Sequence, residues 1–209
     1  CARLARPDFL LNVTLNARRE ITGVFAGDLW EAHARGVEFV RETAMVGVEA
    51  PYDVVLTTNS GYPLDINLYQ SVKGISSAAQ VVKPGGSIII ASECQEGIPD
   101  YGEYRNLVRE GGSPEGIVRI ISQPGFHRHD QWEAQLHADL LNRADIYIHA
   151  SGLTDRQAEE MLLRPVDDVE ATVARLLEEH GPGARLCVLP EGPQTIPYVR
   201  QEERRAIRA

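Results

Sequence analysis

The chain has 209 residues, of which 43% are hydrophobic and 24% are charged, which is the ordinary range for a globular protein. Its formal net charge of −9, with arginines scattered along the chain, argues against the basic surface that nucleic-acid binding needs. No apolar run approaches the ~20 residues of a membrane span, so we expect no membrane partner. Three cysteines without a CxxC pair predict reduced thiols and a cytoplasmic location.

The first part of the chain predicts a β-hairpin followed by a linker helix. Residues 8–15 and 21–26 have strand patterns, and the segment between them is a turn. Asp28 is a candidate N-cap for a helix that reaches about residue 43. These elements alone are too few to enclose a core. Since the chain begins at Cys1 without an apolar leader, we expect an excised piece of a longer protein.

From residue 52 onward, strand and helix patterns alternate. The predicted strands are 53–57, 87–92, 145–149 and 186–189. The predicted helices are 64–82, 102–109, 130–142, 154–163 and 167–180, with 116–122 irregular or extended and the polar residues 200–209 helical or frayed. Such alternation predicts an α/β fold, with a mostly parallel sheet and helices on both faces.

The strongest functional signal lies in residues 54–73, VVLTTNSGYPLDINLYQSVK. A β-branched run ends at a polar corner, and the helix that follows carries Tyr69, Gln70 and Lys73. At ~100° per residue, Lys73 lies about 40° from Tyr69 and about 60° from Gln70 around the helix axis. This shared face is near the carboxyl end of a strand, where α/β proteins bind small ligands.

Lys73 is unusual in a second way, because lysine occurs only twice among the 21 basic residues. An ammonium is a compact donor that fits beside an oxyanion, where a guanidinium needs room for its planar fork. The alternative is a solvated helix lysine without a special role.

The histidines give a weaker signal. His127 and His129 are spaced to bracket a metal ion and His137 follows on the next helix, but zinc needs three or four ligands from several directions. A structural histidine is the favoured interpretation for His149, which ends a predicted strand, over a catalytic base. We therefore predict no metal site in this chain.

Three other segments have a functional and a structural interpretation. Trp132 begins a helix and either lines a ligand pocket or packs in the core. Cys94 follows Glu93 at a strand end, but a thiolate nucleophile would need a base that we cannot identify. Residues 84–86, Pro-Gly-Gly, are typical of a turn before a strand and also occur in methyltransferases.

Residues 57–74, TTNSGYPLDINLYQSVKG, resemble the second domain of nickel-pincer lactate racemases and related 2-hydroxyacid racemases. The segments FLLNVTLN and GVFAGDLWEAH are similar to the end of the preceding catalytic domain and its linker, and the helix with Gln131 and Trp132 also matches. The resemblance implies that residues 1–45 are a remnant of the catalytic domain plus a linker helix. Residues 46–209 would then be the carboxy-terminal, substrate-contacting α/β domain.

The resemblance also implies an isomerase whose two domains have different roles. The missing N-terminal catalytic domain would hold the nickel-pincer nucleotide and supply the nickel ligand, the tethering lysine and the histidines that move protons. Hydride would leave the α-carbon of a small 2-hydroxy acid such as lactate and return to either face. In this chain Gln70 and Lys73 would bind the substrate carboxylate and oxygens, and Tyr69 and Trp132 would line the pocket. No catalytic, cofactor or metal residue is expected here, so the chain alone should be inactive.

Two alternatives remain at this stage. A nucleotide- or S-adenosylmethionine-binding domain of methyltransferase type is suggested by residues 84–86 and by the alternating pattern, although no glycine-rich first loop is present. A non-enzymatic interaction domain is the other.

Overall fold

The computed structural model describes residues 2–16 and 18–200. The chain divides into two compact units, Cys1–Met45 and Val46–Ala209. The strands are β1 (Leu10–Leu15), β2 (Ile21–Gly27), β3 (Met45–Val48), β4 (Tyr52–Thr58), β5 (Val82–Ala91), β6 (Ala144–His149), β7 (Arg164–Pro165), β8 (Leu186–Leu189) and β9 (Ile196–Val199). The α-helices are α1 (Ala2–Ala5), α2 (Leu29–Ala44), α3 (Leu68–Ala79), α4 (Tyr104–Gly111), α5 (Pro114–Ile121), α6 (Gln131–Arg143), α7 (Asp155–Glu160) and α8 (Val169–His180), and Gly192–Gln194 is a 3-10 turn.

The first unit contains the predicted hairpin and helix, which are confirmed. Strands β1 and β2 pair antiparallel. Helix α2 begins after Asp28, whose carboxylate accepts hydrogen bonds from the backbone N–H groups of Trp30 at 2.9 Å and Glu31 at 3.1 Å. Phe25 of β2 contacts Phe39 of α2, with ring centroids 5.7 Å apart. The helix therefore packs on one face of the hairpin.

The second unit is built on a five-stranded sheet with the order β7-β6-β5-β4-β8. The pairings β4 with β5, β4 with β8, β5 with β6 and β6 with β7 are all parallel. Successive strands run outward from β4 to β7, and β8 then returns to the other side of β4. The strand order thus reverses next to β4, which is the position where open α/β sheets bind ligands at their carboxyl edge.

Helices cover both faces of this sheet, as predicted. Ile88 and Ile90 of β5 point into the larger core, which α3, α4, α5 and α6 cover. Ile89 points to the opposite face and packs with Leu176 of α8. Every one of these side chains is fully or almost fully buried. The near-continuous apolar run of β5 follows from this burial on both sides.

The structure corrects two predicted boundaries. Helix α3 begins at Leu68 instead of residue 64, because residues 59–67 form a loop that ends at the cap residue Asn67. Strand β5 begins at Val82 instead of residue 87. The register shifts between Tyr52 and Val54 where they pair with β5, so residues 84–86 lie inside an irregular stretch of the strand.

The prediction of an irregular segment at residues 116–122 is wrong, because α5 covers most of it. The Ser113 side chain accepts a hydrogen bond from the backbone N–H of Gly116 at 3.0 Å, and Pro114 occupies the first turn. A Cβ on Gly116 would lie 2.0 Å from the carbonyl oxygen of Gly111, so the two short helices meet where a side chain cannot fit.

Strands β3 and β9, which the sequence did not predict, form a separate two-stranded sheet. Of the predicted polar tail, residues 201–209 lie outside the described residues. Among residues 2–16 and 18–200, no helix has both the length and the apolar character needed to cross a membrane.

Candidate functional site

Tyr69, Gln70 and Lys73 lie in the first two turns of α3, at the carboxyl edge of the sheet. The Lys73 ammonium donates a hydrogen bond to Gln70 Oε1 at 2.5 Å, so the ammonium and the amide share one face of the helix. Lys73 is exposed, and Tyr69 and Gln70 are half-buried. The Gln70 amide nitrogen makes no hydrogen bond within residues 2–16 and 18–200. An incoming anion therefore meets an amide N–H2 group and an ammonium with spare donors.

The start of α3 is fixed against the end of β4. Asn67 accepts a hydrogen bond from the backbone N–H of Gln70 at 3.1 Å and caps the helix. Asn59 accepts one from the backbone N–H of Gly74 at 3.0 Å. A Cβ on Gly74 would lie 2.6 Å from the carbonyl oxygen of Thr58, so only glycine allows this close approach. Lys73 precedes that glycine, and its backbone is held rigidly at the sheet edge.

Trp132 lies beside Tyr69 across the α3–α6 contact. The two rings meet edge to face, with centroids 6.0 Å apart, and Tyr104 packs against the other side of Tyr69 at 5.7 Å. The Tyr69 hydroxyl donates to Asp130 Oδ1 at 3.4 Å. Because Trp132 is 57% exposed, it does not belong to the core. The structure brings the four predicted site residues together on one surface, Tyr69, Gln70, Lys73 and Trp132, which we call the α3–α6 surface.

The hydroxyl of Tyr69 is a neutral hydrogen-bond donor at physiological pH. Partial burial raises its pKa to about 12, and the nearby carboxylates of Asp130 and Glu133 add to this shift. The phenol thus keeps its proton, which it can donate to an anionic ligand only in place of Asp130.

His137 has a structural role behind this surface. Its ring is completely buried, accepts a hydrogen bond from the Tyr104 hydroxyl at Nδ1 (3.0 Å), and donates from Nε2 to the carbonyl oxygen of Met161 (2.8 Å). Burial lowers the pKa of His137 to about 4, so the ring is neutral. Both ring nitrogens have partners, which fixes Tyr104 and, through it, Tyr69.

The remaining histidines do not form a metal site within the described part of the chain. His127 and His129 are exposed, and His129 Nδ1 lies 2.9 Å from an Asp130 oxygen. His149 Nδ1 donates to the carbonyl oxygen of Val166 at 2.8 Å. Among residues 2–16 and 18–200, no three His, Cys, Asp or Glu side chains converge in a way that could hold a metal ion.

The thiol of Cys94 is buried between two serine hydroxyls. Its sulfur lies 3.5 Å from the Oγ atoms of Ser71 and Ser92, and burial raises the pKa of the thiol above its ordinary value. A buried thiol whose pKa is raised is a poor nucleophile, so the structure supports a packing role for Cys94.

Sequence reasoning missed Glu133, which lies next to Trp132 in the first turn of α6. The residue is 3% exposed, and burial raises the pKa of its carboxyl to about 7, with Asp130 raising it and Lys73 lowering it. An acidic residue in a first helical turn is common, because it complements the helix dipole. The available signal was its spacing, since Glu133, Ala134, His137 and Ala138 recur at helical intervals on the buried face.

Two cavities also open at the carboxyl edge of the sheet. The larger, about 500 Å³, is lined by the ends of β4, β5 and β6 and includes the carboxylates of Asp65, Glu93 and Glu191. The smaller, about 210 Å³, lies between β6 and α7. Neither cavity is lined by a residue of the α3–α6 surface. The larger cavity, which we call the acidic crevice, has the wrong charge for a carboxylate ligand.

Comparison with known proteins agrees with the resemblance in the sequence. Residues 48–196 match the family described as the lactate racemase C-terminal domain. The chain belongs to this family. It is 34% identical over 197 residues to a lactate racemase of Thermoanaerobacterium thermosaccharolyticum, covering 93% of this chain and 46% of the relative. It is 33% identical over 196 residues to a lactate racemase of Lactiplantibacillus plantarum, covering 91% of this chain and 45% of that protein.

Solved structures show the same relationship. The lactate racemase apoprotein from T. thermosaccharolyticum superposes with a TM-score of 0.85 at 33% identity, over 94% of this chain and 47% of that one. A protein from Thermotoga maritima, with a TM-score of 0.60 at 14% identity, shares the fold alone. This lactate racemase C-terminal domain thus spans about half the length of the curated relatives that it matches.

Proposed function

We propose that this chain is the carboxy-terminal, substrate-binding part of a 2-hydroxyacid racemase, with lactate as the first substrate to test. The observation that carries the proposal is the ammonium of Lys73 beside the amide of Gln70, on a rigid helix at the sheet edge of a lactate racemase C-terminal domain. The two relatives that span this chain with 33–34% identity are themselves named lactate racemase.

The chemistry of a 2-hydroxy acid suits the α3–α6 surface. The substrate carboxylate needs donors that carry charge, and hydrogen bonds from an ammonium are stronger than those between neutral groups. Lys73 supplies the charge, and the Gln70 amide N–H2 group reaches a second oxygen. The neutral phenol of Tyr69, on the same helix, can donate to the substrate if its hydroxyl turns away from Asp130. We therefore assign Lys73 and Gln70 to the carboxylate and oxygens of the substrate.

Tyr69 and Trp132 form the apolar side of the proposed pocket. Their edge-to-face contact orients both rings, and the exposed part of Trp132 is free to cover a substrate. Excluding water would strengthen the bonds made by Lys73 and would protect a reactive intermediate from side reactions. These contacts bind and orient the substrate, so racemisation needs further groups.

Among residues 2–16 and 18–200, no set of His, Cys, Asp or Glu side chains converges in a way that fits a metal ion. We assign no residue here to nickel. In this proposal the nickel-pincer nucleotide and the proton-moving groups belong to a preceding catalytic domain, of which residues 1–45 are the last part. The isolated chain should then bind substrate weakly and racemise nothing. Two free thiols, Cys94 and Cys187, are consistent with a reducing cytoplasm.

The test is racemisation of D-lactate and L-lactate by the longer protein that contains this chain. Lys73→Ala should lower kcat/KM by about 30- to 1,000-fold, or roughly 2–4 kcal/mol, because it removes one partner of a desolvated charged pair. Lys83→Ala is the matched control, since it removes the only other lysine, which forms an ion pair with Asp53 at 2.6 Å. A longer protein that racemises no 2-hydroxy acid would overturn the function, and an unchanged Lys73→Ala variant would overturn the role of Lys73.

A further inference from the structure

The α3–α6 surface is rich in hydrogen-bond donors and poor in acceptors. Lys73 and the indole of Trp132 only donate, and the amide oxygen of Gln70 already accepts a hydrogen bond from the Lys73 ammonium at 2.5 Å. A 2-hydroxy acid needs both kinds of partner, because its carboxylate accepts hydrogen bonds and its hydroxyl has a proton to donate. Among residues 2–16 and 18–200, the Tyr69 oxygen accepts no hydrogen bond, so it is the acceptor on this surface that is not yet used.

The proton of the Tyr69 hydroxyl is directed to Asp130. A phenol carries one proton and can also accept a hydrogen bond at its oxygen. In this structure the proton is donated to Asp130 Oδ1, with 3.4 Å between the two oxygens. An ionised carboxylate can only accept, so the direction of this bond is fixed. The oxygen of Tyr69 therefore keeps its accepting side for another partner.

Asp130 is held in place on the side away from Tyr69. Its second carboxylate oxygen, Oδ2, lies 2.9 Å from His129 Nδ1. A Cβ on Gly102 would lie 1.9 Å from the same oxygen, so the Gly102 backbone packs directly on the carboxylate. The side chain of Asp130 is 10% exposed. A carboxylate enclosed in this way has little room to turn from the phenol.

The backbone of Asp130 also indicates that its side chain is committed to α3. Asp130 is the N-cap residue of α6, and aspartate is a favoured cap, yet its carboxylate makes no capping hydrogen bond. Its φ of 61° lies in the left-handed region, which aspartate and asparagine tolerate better than most residues. The chain therefore adopts an uncommon conformation here and uses the carboxylate for a contact outside its own helix.

The ring of Tyr69 is positioned independently of its hydroxyl. Tyr104 packs against one side with ring centroids 5.7 Å apart, and Trp132 against the other at 6.0 Å, both edge to face. These contacts fix where the phenol oxygen lies. Asp130 then fixes only the direction in which the proton points.

We propose that Tyr69 accepts a hydrogen bond from the 2-hydroxyl group of the substrate, because Asp130 holds the proton of the phenol. Tyr69 contacts the substrate in this arrangement, and Asp130 is a positioning residue that acts through Tyr69. The inference rests on the proposed function and deepens it, since it names the substrate group that Tyr69 recognises. The site then favours a 2-hydroxy acid over the matching 2-oxo acid, whose oxo oxygen would face the phenol oxygen with no proton between them.

Three small carboxylates test this recognition by calorimetry of the longer protein. Racemic lactate has the hydroxyl and undergoes no net conversion, pyruvate has an oxo group instead, and propionate has neither. Tyr69→Phe should weaken lactate binding by about two- to fivefold, the loss of one neutral hydrogen bond. Propionate binding should change less than about twofold, because propionate has no hydroxyl proton to donate.

Two substitutions of Asp130 separate its acceptor from its backbone conformation. Asp130→Gly keeps the left-handed backbone and removes the acceptor, so the phenol can turn and donate to an oxo group. The ratio of the Kd for pyruvate to the Kd for lactate should then fall by at least about fivefold. This ratio cancels the effect of the lost charge, which acts on both anions alike.

Asp130→Asn keeps both the left-handed conformation and an acceptor oxygen, so it should restore a ratio within about twofold of the wild type. Asp139→Asn is the matched control, since Asp139 is exposed on the same helix. If Asp130→Gly does not fold, Tyr69→Phe with propionate as the reference decides alone.

The outcomes distinguish this inference from the proposed function. Equal losses of lactate and propionate binding in Tyr69→Phe, or an unchanged ratio in Asp130→Gly, would overturn the inference and leave the proposed function in place. A wild-type longer protein that binds no 2-hydroxy acid would overturn both.

Discussion

The α3–α6 surface and the acidic crevice lie at the same edge of the sheet and have opposite chemistry. The crevice is a concavity of about 500 Å³ where the strand order reverses, but it presents Asp65, Glu93 and Glu191. The α3–α6 surface is open and presents an ammonium, an amide and a phenol. A carboxylate ligand is attracted by donors and repelled by carboxylates. The contrast in charge predicts that a carboxylate binds to the α3–α6 surface and not in the acidic crevice.

Reversing the charge at Lys73 should have the largest effect on lactate binding, and it tests the contrast between the α3–α6 surface and the acidic crevice. Lys73→Glu should weaken lactate binding to the longer protein by more than about 100-fold, because it replaces the donor with a like charge. Glu191→Gln in the crevice should change binding by less than about threefold. Calorimetry with racemic lactate measures both, and a larger loss from the crevice variant would place the substrate there.

The two buried ionisable groups of α6 should oppose each other in the pH dependence of stability. His137 has a folded-state pKa of about 4 against 6.5 when unfolded, so it makes stability rise with pH between those values, by up to about 3 kcal/mol. Glu133 has a folded-state pKa of about 7 against 4.5, so it makes stability fall as pH rises between those values.

Glu133→Gln should reveal the contribution of His137 to the pH dependence of stability. Between pH 4.5 and 6.5 the stability of this variant should rise with pH more steeply than that of the wild type, because the opposing contribution of Glu133 is gone. Urea unfolding followed by circular dichroism at a series of pH values measures the slope. Equal slopes for the two proteins would mean that Glu133 is not buried as the structure shows.

Removing the exposed ring of the α3–α6 surface should have a smaller effect. Trp132→Ala should raise the KM for lactate by about 5- to 20-fold, since it removes a pocket wall and the edge-to-face contact with Tyr69. Leu186, which is exposed at the other end of the unit on β8, provides a control as Leu186→Ala. A KM unchanged by Trp132→Ala would remove Trp132 from the site.

Removing the Tyr69 hydroxyl should have the smallest effect. Tyr69→Phe keeps the ring contacts and loses the hydroxyl, whose single proton is donated to Asp130 at 3.4 Å in this structure and would have to turn away from Asp130 to be donated to the substrate. We expect a two- to fivefold rise in KM, in line with the loss of a single neutral hydrogen bond. A loss as large as that of Lys73→Ala would assign the phenol a chemical role in the reaction.

The sequence predicted those features that depend on local periodicity. Tyr69, Gln70 and Lys73 share a face because the helical repeat alone places them there, and the match to the family confirmed the resemblance drawn from this segment. Ser113 and Pro114, which begin α5, were also visible in the sequence as signals of a helix start. Because α5 is short, its residues show no long helical repeat, and the sequence therefore favoured an irregular or extended segment.

Features that depend on packing between elements could not be predicted from the sequence. The exposure of Trp132 is set by where α6 meets α3 and α4, which no local pattern reveals. For its buried neighbour Glu133, the helical spacing was the one signal in the sequence. The start of β5 depends on its pairing with Tyr52 of β4.

A structure of the longer protein with bound lactate is the most direct test of the central claim, that Lys73 and Gln70 hold the substrate carboxylate. We expect carboxylate oxygens about 3 Å from Lys73 Nζ and from the Gln70 amide nitrogen, with Trp132 against the substrate. A lactate carboxylate bound in the acidic crevice, or held without contact to Lys73, would contradict it.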